Sequence, residues 1–262
     1  MLVDVFTGFF DESNTHADAK WLVVGGFGGR APDWLDFEER WAVLLNAHGL
    51  DHLHTKALMR LRQQFDEWTL GQRDRFVAKL AQSLRGAALV GWACAIDQSA
   101  FRAASAALSR KIPRDSAYGF CFRASALRIL DHLAATGPEP VSFVLEQGHK
   151  NSGSALRIFE ALRESSPQRG WTLGTMTFAG KQDYGALQAA DFLTHIISKN
   201  VDALRAGNGH TKALSQLNFF SGALIKVDVY DEKDVEHLRS EQESWLDEWR
   251  EKAAGRKTNS PI

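Results

Sequence analysis

The chain has 262 residues, 44% of them hydrophobic, and its 31 Lys and Arg residues are balanced by 32 Asp and Glu residues. This length allows one large domain or two small ones, with a core that needs neither a disulfide nor a structural metal. The formal net charge of −1 excludes a broadly basic nucleic-acid coat and a polybasic membrane anchor.

Other global features predict a cytoplasmic protein. No apolar run approaches the roughly 18–20 residues that a membrane helix needs, and the N-terminal segment lacks the positive region of a signal peptide. Cys94 and Cys121 lie in apolar stretches, which is typical of reduced thiols buried in a core. We therefore expect no membrane partner.

The predicted elements begin with a β-hairpin. β-Branched, aromatic and apolar residues fill Val3 to Phe10 and Trp21 to Gly26, and glycines are predicted to end the second strand. Helical spacing of apolar residues follows from Asp33 to Gly49 and from Thr69 to Leu84, and Ala88 to Ile96 is a third apolar strand.

Two segments are predicted to lack long regular structure, namely Asp51 to Leu61, irregular or short-helical, and Phe101 to Arg114, an exposed basic connector. Strands and helices then alternate. The predicted elements are helix Tyr118–Ala135, strand Val141–Leu145, helix Ser154–Leu162, strand Trp171–Phe178, helix Tyr184–Leu204, strand Ala223–Val229 and helix Glu236–Lys252. This order predicts one α/β domain over residues 1–252, followed by a flexible tail at 253–262.

Three acidic residues lie where an apolar element would disfavour a charge. Asp11 and Glu146 follow the first and fourth predicted strands, and Asp191 shares an apolar helix face with Leu187. Ionised carboxylates are rarely buried unless they are paired or bind a cation. Because sites in open α/β sheets gather at the carboxyl ends of strands, we expect the three side chains to converge.

Converging carboxylates indicate a site for Mg²⁺ or Mn²⁺, since hard divalent cations take oxygen ligands. Two such ions can activate a water and stabilise the leaving oxygen in phosphodiester cleavage. Each residue also has a simpler interpretation. Asp11 can cap a turn, Glu146 can begin a loop, and Asp191 can pair with Lys181 or His195.

The chain resembles the family called domain of unknown function 3800. Phe-Phe-Asp-Glu-Ser, an apolar strand into Gly-Gly and, later, Leu-Gln-Ala-Ala-Asp-Phe-Leu carry the resemblance, which spans about residues 5 to 200. It implies a ribonuclease H-like fold, a mixed β-sheet flanked by helices with helical insertions. It also implies a metal-dependent nuclease or a relative of one. Asn14 stands where the family has glycine, and Asn also tolerates a positive φ.

The resemblance extends to individual residues. It implies that Asp11, Glu146 and Asp191 hold metal, although the family usually has Asp at the position of Glu146. Lys181 resembles a recurring family lysine that could touch the scissile phosphate or neutralise the carboxylates, and as an alternative it is a loop lysine. His54 resembles the histidine of a weaker family motif.

Several other residues and motifs are weaker candidates for a functional site. His149 and Asn151 could orient a water or contact phosphate, although loop residues of this kind are more often only solvated. A zinc site at His48, His52 and His54 is disfavoured, because Gly49 breaks the helix and no thiolate helps. The dinucleotide fingerprint at residues 26–31 is also disfavoured, because the helix begins after its last glycine.

Basic residues predict a phosphate-tracking surface whose alternative is an ordinary solvated surface. They are Lys56, Arg60, Arg62, Arg102, Arg110, Lys111 and Arg114. Two functions remain open. The first is a Mg²⁺- or Mn²⁺-dependent nuclease acting on nucleic acid, with Asp11, Glu146, Asp191, Lys181 and His54 at its site. The second is a non-catalytic binding or scaffold protein of the same fold that recognises nucleic acid or a partner protein.

Overall fold

A mixed six-stranded sheet forms the centre of the molecule. The computed structural model describes residues 5–16, 18–107, 115–134, 139–148, 151–205 and 224–240. The strands are β1 (Phe6–Ser13), β2 (Trp21–Arg30), β3 (Val90–Asp97), β4 (Val141–Glu146), β5 (Leu173–Ala179) and β6 (Leu224–Tyr230). Their order across the sheet is β5-β4-β1-β2-β3-β6.

The helices lie between and after the strands along the chain. They are α1 (Ala31–Asn46), α2 (Thr55–Arg60), α3 (Leu70–Arg85), α4 (Gln98–Ala107), α5 (Ala117–Ala134), α6 (Ser152–Arg169), α7 (Gly185–Arg205) and a final helical stretch at 232–240, with a 3₁₀ turn at Gln63–Phe65. The predicted α/β class, a sheet flanked by helices, is therefore confirmed.

Strand direction places the ends of β1 and β4 side by side. β1 pairs antiparallel with β2 and parallel with β4, so that Phe6 faces Val141 and Phe10 faces Leu145. The sheet continues with β5 parallel to β4, and with β3 antiparallel to β2. Because β1 and β4 run in the same direction, Asp11 and Glu146 lie at one edge of the sheet, as predicted.

Apolar residues cover both faces of the sheet, as the period of two along a strand requires. Phe9, Val23 and Phe27 face one layer, built by α1, α3 and α7. Phe6 and Phe10 face the other, built by α5 and α6. Both cysteines are buried and free, as predicted; Cys94 lies on β3 and Cys121 on α5, within the second layer.

The end of β2 differs from the prediction. Glycines were expected to close this strand at Gly26, but it continues through them to Arg30. A Cβ at Gly26 would collide with the carbonyl oxygen of Phe9, so glycine here permits close approach of β1 and β2 and does not make a turn. The helix then begins at Ala31, with Arg30 as its N-cap residue and Pro32 in the first turn.

Two other predictions need correction or extension. Residues 101–107 of the segment expected to be an exposed connector belong to helix α4, because Asp97 caps the helix and its alanines favour helical structure. Helix α6, predicted to end at Leu162, extends to Arg169 with Pro167 inside it. The short-helical interpretation of residues 51–61 is confirmed by α2.

Some predicted features lie outside the described residues. They are Arg110, Lys111 and Arg114 of the basic connector, His149, most of the predicted C-terminal helix and the tail at 253–262. The division into a domain at residues 1–252 and a tail stays a prediction. Within the described part of the chain, no helix is long and apolar enough to cross a membrane.

Candidate metal centre

Asp11 is the most deeply buried acidic residue of the candidate site. It lies near the end of central strand β1, on the same sheet face as Phe9, and its side chain is 1% exposed. Its Oδ1 accepts a hydrogen bond of 2.7 Å from the backbone N–H of Glu12. Burial raises the pKa of Asp11, the negative charges of Asp191 and Glu146 raise it further, and Lys181 partly opposes them.

Glu146 and Asp191 reach the same face from two other elements. Glu146 is the last residue of β4 and alternates with Leu145, which packs on the opposite face. Asp191 lies on α7, where its Oδ2 accepts a hydrogen bond of 3.2 Å from the backbone N–H of Thr55. Three carboxylates that are far apart in sequence thus meet beside the carboxyl edge of the sheet.

The ammonium group of Lys181 lies at the point that the three carboxylates share. Its Nζ is 2.9 Å from Asp11 Oδ2, 3.1 Å from Glu146 Oε2 and 3.3 Å from Asp191 Oδ1. Burial alone would lower the pKa of Lys181, but Asp11, Asp191 and Glu146 raise it well above its ordinary value. The lysine is therefore charged and serves as the counter-ion of the cluster.

The donor set fits a hard divalent cation. Carboxylate oxygens are the ligands that Mg²⁺ and Mn²⁺ prefer. Thr55, whose backbone N–H contacts Asp191, has a buried hydroxyl that makes no hydrogen bond within the described residues. A water bound to a cation could supply that missing hydrogen bond. In the conformation described, no group of three or more His, Cys, Asp or Glu side chains in the described ranges is arranged to hold a metal ion.

Gln188 positions the loops around the cluster, a role that the sequence analysis missed. Its Oε1 accepts hydrogen bonds from Trp41 Nε1 (3.0 Å) and from the backbone N–H of Leu53 (2.8 Å). Its Nε2 donates to the carbonyl of Lys181 at 3.0 Å. The available signal was a polar residue inside an apolar helix segment, three positions before Asp191, although that pattern does not reveal what the amide contacts.

His195 follows Asp191 by four residues on α7, near several basic side chains. Burial lowers the pKa of His195, Lys199, Arg60 and Lys56 lower it further, and Asp191 opposes them. Lys56, Arg60 and Lys199 therefore lie in the neighbourhood of His195, and none of them contacts the three carboxylates in the described hydrogen bonds and ion pairs. His54 is exposed, with Nδ1 3.3 Å from Gln63 Oε1, and none of its described hydrogen bonds reaches the carboxylates.

Other predicted residues lie apart from this cluster. Asn151 donates a hydrogen bond of 3.0 Å to Glu12 Oε1, and Glu12 alternates with Asp11 and therefore faces the opposite side of the sheet. Arg102 lies on α4, which packs against α5 on that side as well. The single phosphate-tracking surface that joins Arg102 to Lys56 and Arg60 stays a prediction, because Arg110, Lys111 and Arg114 lie outside the described residues.

Comparisons with known proteins bear on the fold. No family model and no curated protein matches the chain. The crystal structure of Bst-RNase HIII in complex with Mn²⁺ is similar, with 14% sequence identity and a TM-score of 0.44, over 80% of this chain and 57% of that chain. This chain therefore spans less than two thirds of the length of that relative. The predicted mixed sheet flanked by helices is confirmed by the strand order and directions described above.

Proposed function

We propose that the protein is a Mg²⁺- or Mn²⁺-dependent nuclease that hydrolyses phosphodiester bonds at Asp11, Glu146 and Asp191. The observation that carries this proposal is the convergence of the three carboxylates, brought from two strands and a helix to one buried point. Clustering like charges is unfavourable, and a fold tolerates it mainly where the charges have a function.

Each group has a proposed part in the reaction. The three carboxylates would hold the cation, which when bound would activate a water and stabilise the leaving oxygen. Lys56, Arg60 and Lys199 lie in the neighbourhood of His195, which follows Asp191 by four residues on α7, and their positive charges can hold the phosphates of a nucleic acid. His54 stays a predicted contributor. Membership of the family called domain of unknown function 3800 belongs to the same proposal and rests on the residues that carry the resemblance.

A non-catalytic scaffold is the second candidate, and the position of Lys181 favours it. An ammonium group bound by three carboxylates neutralises part of the charge that would otherwise attract a cation. If Lys181 never leaves, the fold keeps a stable ion cluster without chemistry and can still recognise nucleic acid or a partner protein.

A substrate screen with a matched variant tests the proposed function. Wild type and Asp11→Asn, which removes a charge with little change in shape, are incubated with single- and double-stranded DNA and RNA in Mg²⁺, Mn²⁺ or EDTA. We expect the wild type to cleave at least one substrate with metal, and the variant and EDTA samples to be inactive. Absence of cleavage, together with no Mn²⁺-induced rise in melting temperature, would favour the scaffold.

A further inference from the structure

Lys181 occupies the position that a cation bound by all three carboxylates would need. Its distances to them, 2.9 to 3.3 Å, are those of ion pairs, and the side chain remains 17% exposed. The ammonium is thus the common neighbour of three oxygens from three different elements. A divalent cation cannot bind the same three oxygens while the ammonium stays, because two cations at one point repel each other.

We propose that Lys181 is an exchangeable internal counter-ion, which competes with a divalent cation for the centre of the cluster. The inference deepens the proposed function, on which it rests, by assigning a regulator of its metal site. Without metal, the ammonium keeps the three carboxylates assembled. When the cation binds, the ammonium leaves the centre while the backbone of Lys181 stays in place.

The backbone of Lys181 is held in place, whereas its side chain can move. The carbonyl of Lys181 accepts a hydrogen bond from the buried amide of Gln188, which anchors the turn after β5. The ammonium, in contrast, is a compact charge at the end of a flexible four-carbon stem. The exposed fraction of the side chain gives it a route toward solvent, so that the exchange needs no rearrangement of the sheet or of α7.

Metal binding by lysine variants tests the competition. Mn²⁺ affinity is measured by calorimetry, and the metal-free melting temperature by thermal unfolding, for wild type, Lys181→Met, Lys181→Arg and Lys226→Met. The last removes an exposed lysine on β6, away from the cluster, and controls for net charge. We expect Lys181→Met to melt lower without metal but to bind Mn²⁺ at least about tenfold more tightly. Lys181→Arg and Lys226→Met should bind Mn²⁺ about as the wild type does.

The outcomes separate this inference from the proposed function. If Lys181→Met binds Mn²⁺ no more tightly than a wild type that does bind it, the competition is overturned and the proposed function stands. If neither protein binds Mn²⁺, the proposed function itself is overturned.

A second measurement uses the unmodified side chain, in case Lys181→Met does not fold. In protein with ¹⁵N-labelled lysine, the Lys181 ammonium signal, assigned by its loss in Lys181→Arg, should be observable without metal because three carboxylates hold it. Saturating Mg²⁺ should shift or remove that signal. A signal unchanged by Mg²⁺, in protein that calorimetry shows to be loaded, would exclude displacement of the ammonium.

Discussion

Asp191 on α7 contacts both the backbone N–H of Thr55 and the ammonium of Lys181. One substitution can therefore test what its charge contributes. We predict that Asp191→Asn weakens Mn²⁺ binding at least about tenfold, or ~1.4 kcal/mol, because a cation loses one charged ligand. The metal-free protein should unfold near the wild-type temperature, since Asp11 and Glu146 still bind Lys181. Asp202→Asn is the control, because Asp202 lies on the same helix but pairs with Lys20.

The measurement for Asp191 is the rise in melting temperature with Mn²⁺. A strongly destabilised Asp191→Asn protein that keeps the full Mn²⁺-induced rise would show that Asp191 is a structural partner only. In that case, removing one member of a buried ion pair would cost about 3–5 kcal/mol.

Gln188 is expected to matter for stability more than any exposed polar residue nearby. Gln188→Leu would leave two donors, Trp41 Nε1 and the Leu53 N–H, buried without partners. Each stranded donor costs about 1–3 kcal/mol, which urea unfolding should measure as a lower midpoint with an unchanged slope. Gln182→Leu, an exposed change in the turn before α7, should be nearly neutral. Equal effects of the two changes would contradict the positioning role.

At the same scale, the sequence predicted the acidic residues better than the cationic one. Asp11, Glu146 and Asp191 were identifiable because strand ends and a helix face fix the direction of a side chain. Asn14 has a φ of 63°, as its substitution for a family glycine suggested. Neutralisation of the carboxylates by Lys181 was one of several predicted roles. The sequence could not select it, because a long side chain on a turn can reach many points and only the packed loops select one.

At the scale of elements, α4 shows how one cap converts an apparent connector into a helix. Asp97 Oδ1 accepts hydrogen bonds from the backbone N–H of Ser99 (2.9 Å) and of Ala100 (3.0 Å). Composition alone hid this helix, since its arginine and serines resemble those of a loop. The glycines of β2 led to the opposite error, since a turn was predicted where the strand continues. Both a close approach of two strands and a turn select glycine.

The cap at Asp97 makes a prediction that depends on pH. Asp97→Ala should cost about 1 kcal/mol of unfolding free energy at pH 7, as loss of a helix N-cap does. Burial tends to raise the pKa of Asp97, but hydrogen bonds from Ser99 and Ala100 lower it below its ordinary value of 3.8. Because its pKa is lower in the folded state, ionised Asp97 stabilises the protein at pH values above the ordinary pKa. This stabilisation is lost as the pH falls through the folded-state pKa.

Urea unfolding at pH 7 and at pH 3 measures this dependence. The difference between wild type and Asp97→Ala should shrink at the lower pH, whereas Asp97→Asn, which keeps a capping oxygen, should lie between the two proteins at pH 7. A difference that stays constant with pH would mean that the Asp97 charge contributes nothing to the cap.

At the scale of the whole molecule, the near-zero net charge conceals a local asymmetry. Lys56 and Arg60 lie on α2, which packs against α7 on the sheet face of the carboxylates. We predict that Lys56→Glu with Arg60→Glu weakens nucleic-acid binding and flattens its dependence on salt, because phosphate contacts release counterions. Arg157→Glu with Arg163→Glu, on α6 at the other face, changes the charge equally and should leave binding nearly unchanged.

Binding isotherms at several salt concentrations test this asymmetry. If both double variants reduced binding equally, net charge and not the α2 surface would set the affinity. The metal-induced rise in melting temperature should survive in both, since neither pair of residues contacts the carboxylates in the described hydrogen bonds and ion pairs.

The parallel pairing of β1 with β4 joins segments that are far apart along the chain. β1 pairs with β2, and β2 pairs with β3 across one helical insertion. Phe6, in contrast, pairs with Val141, and Asp11 contacts Lys181, and both partners lie much later in the chain. Contacts so distant along the chain form slowly, because loop-closure entropy opposes them. During synthesis, the ribosome therefore releases the buried Asp11 long before its counter-ion, and the candidate site is assembled only when α7 docks.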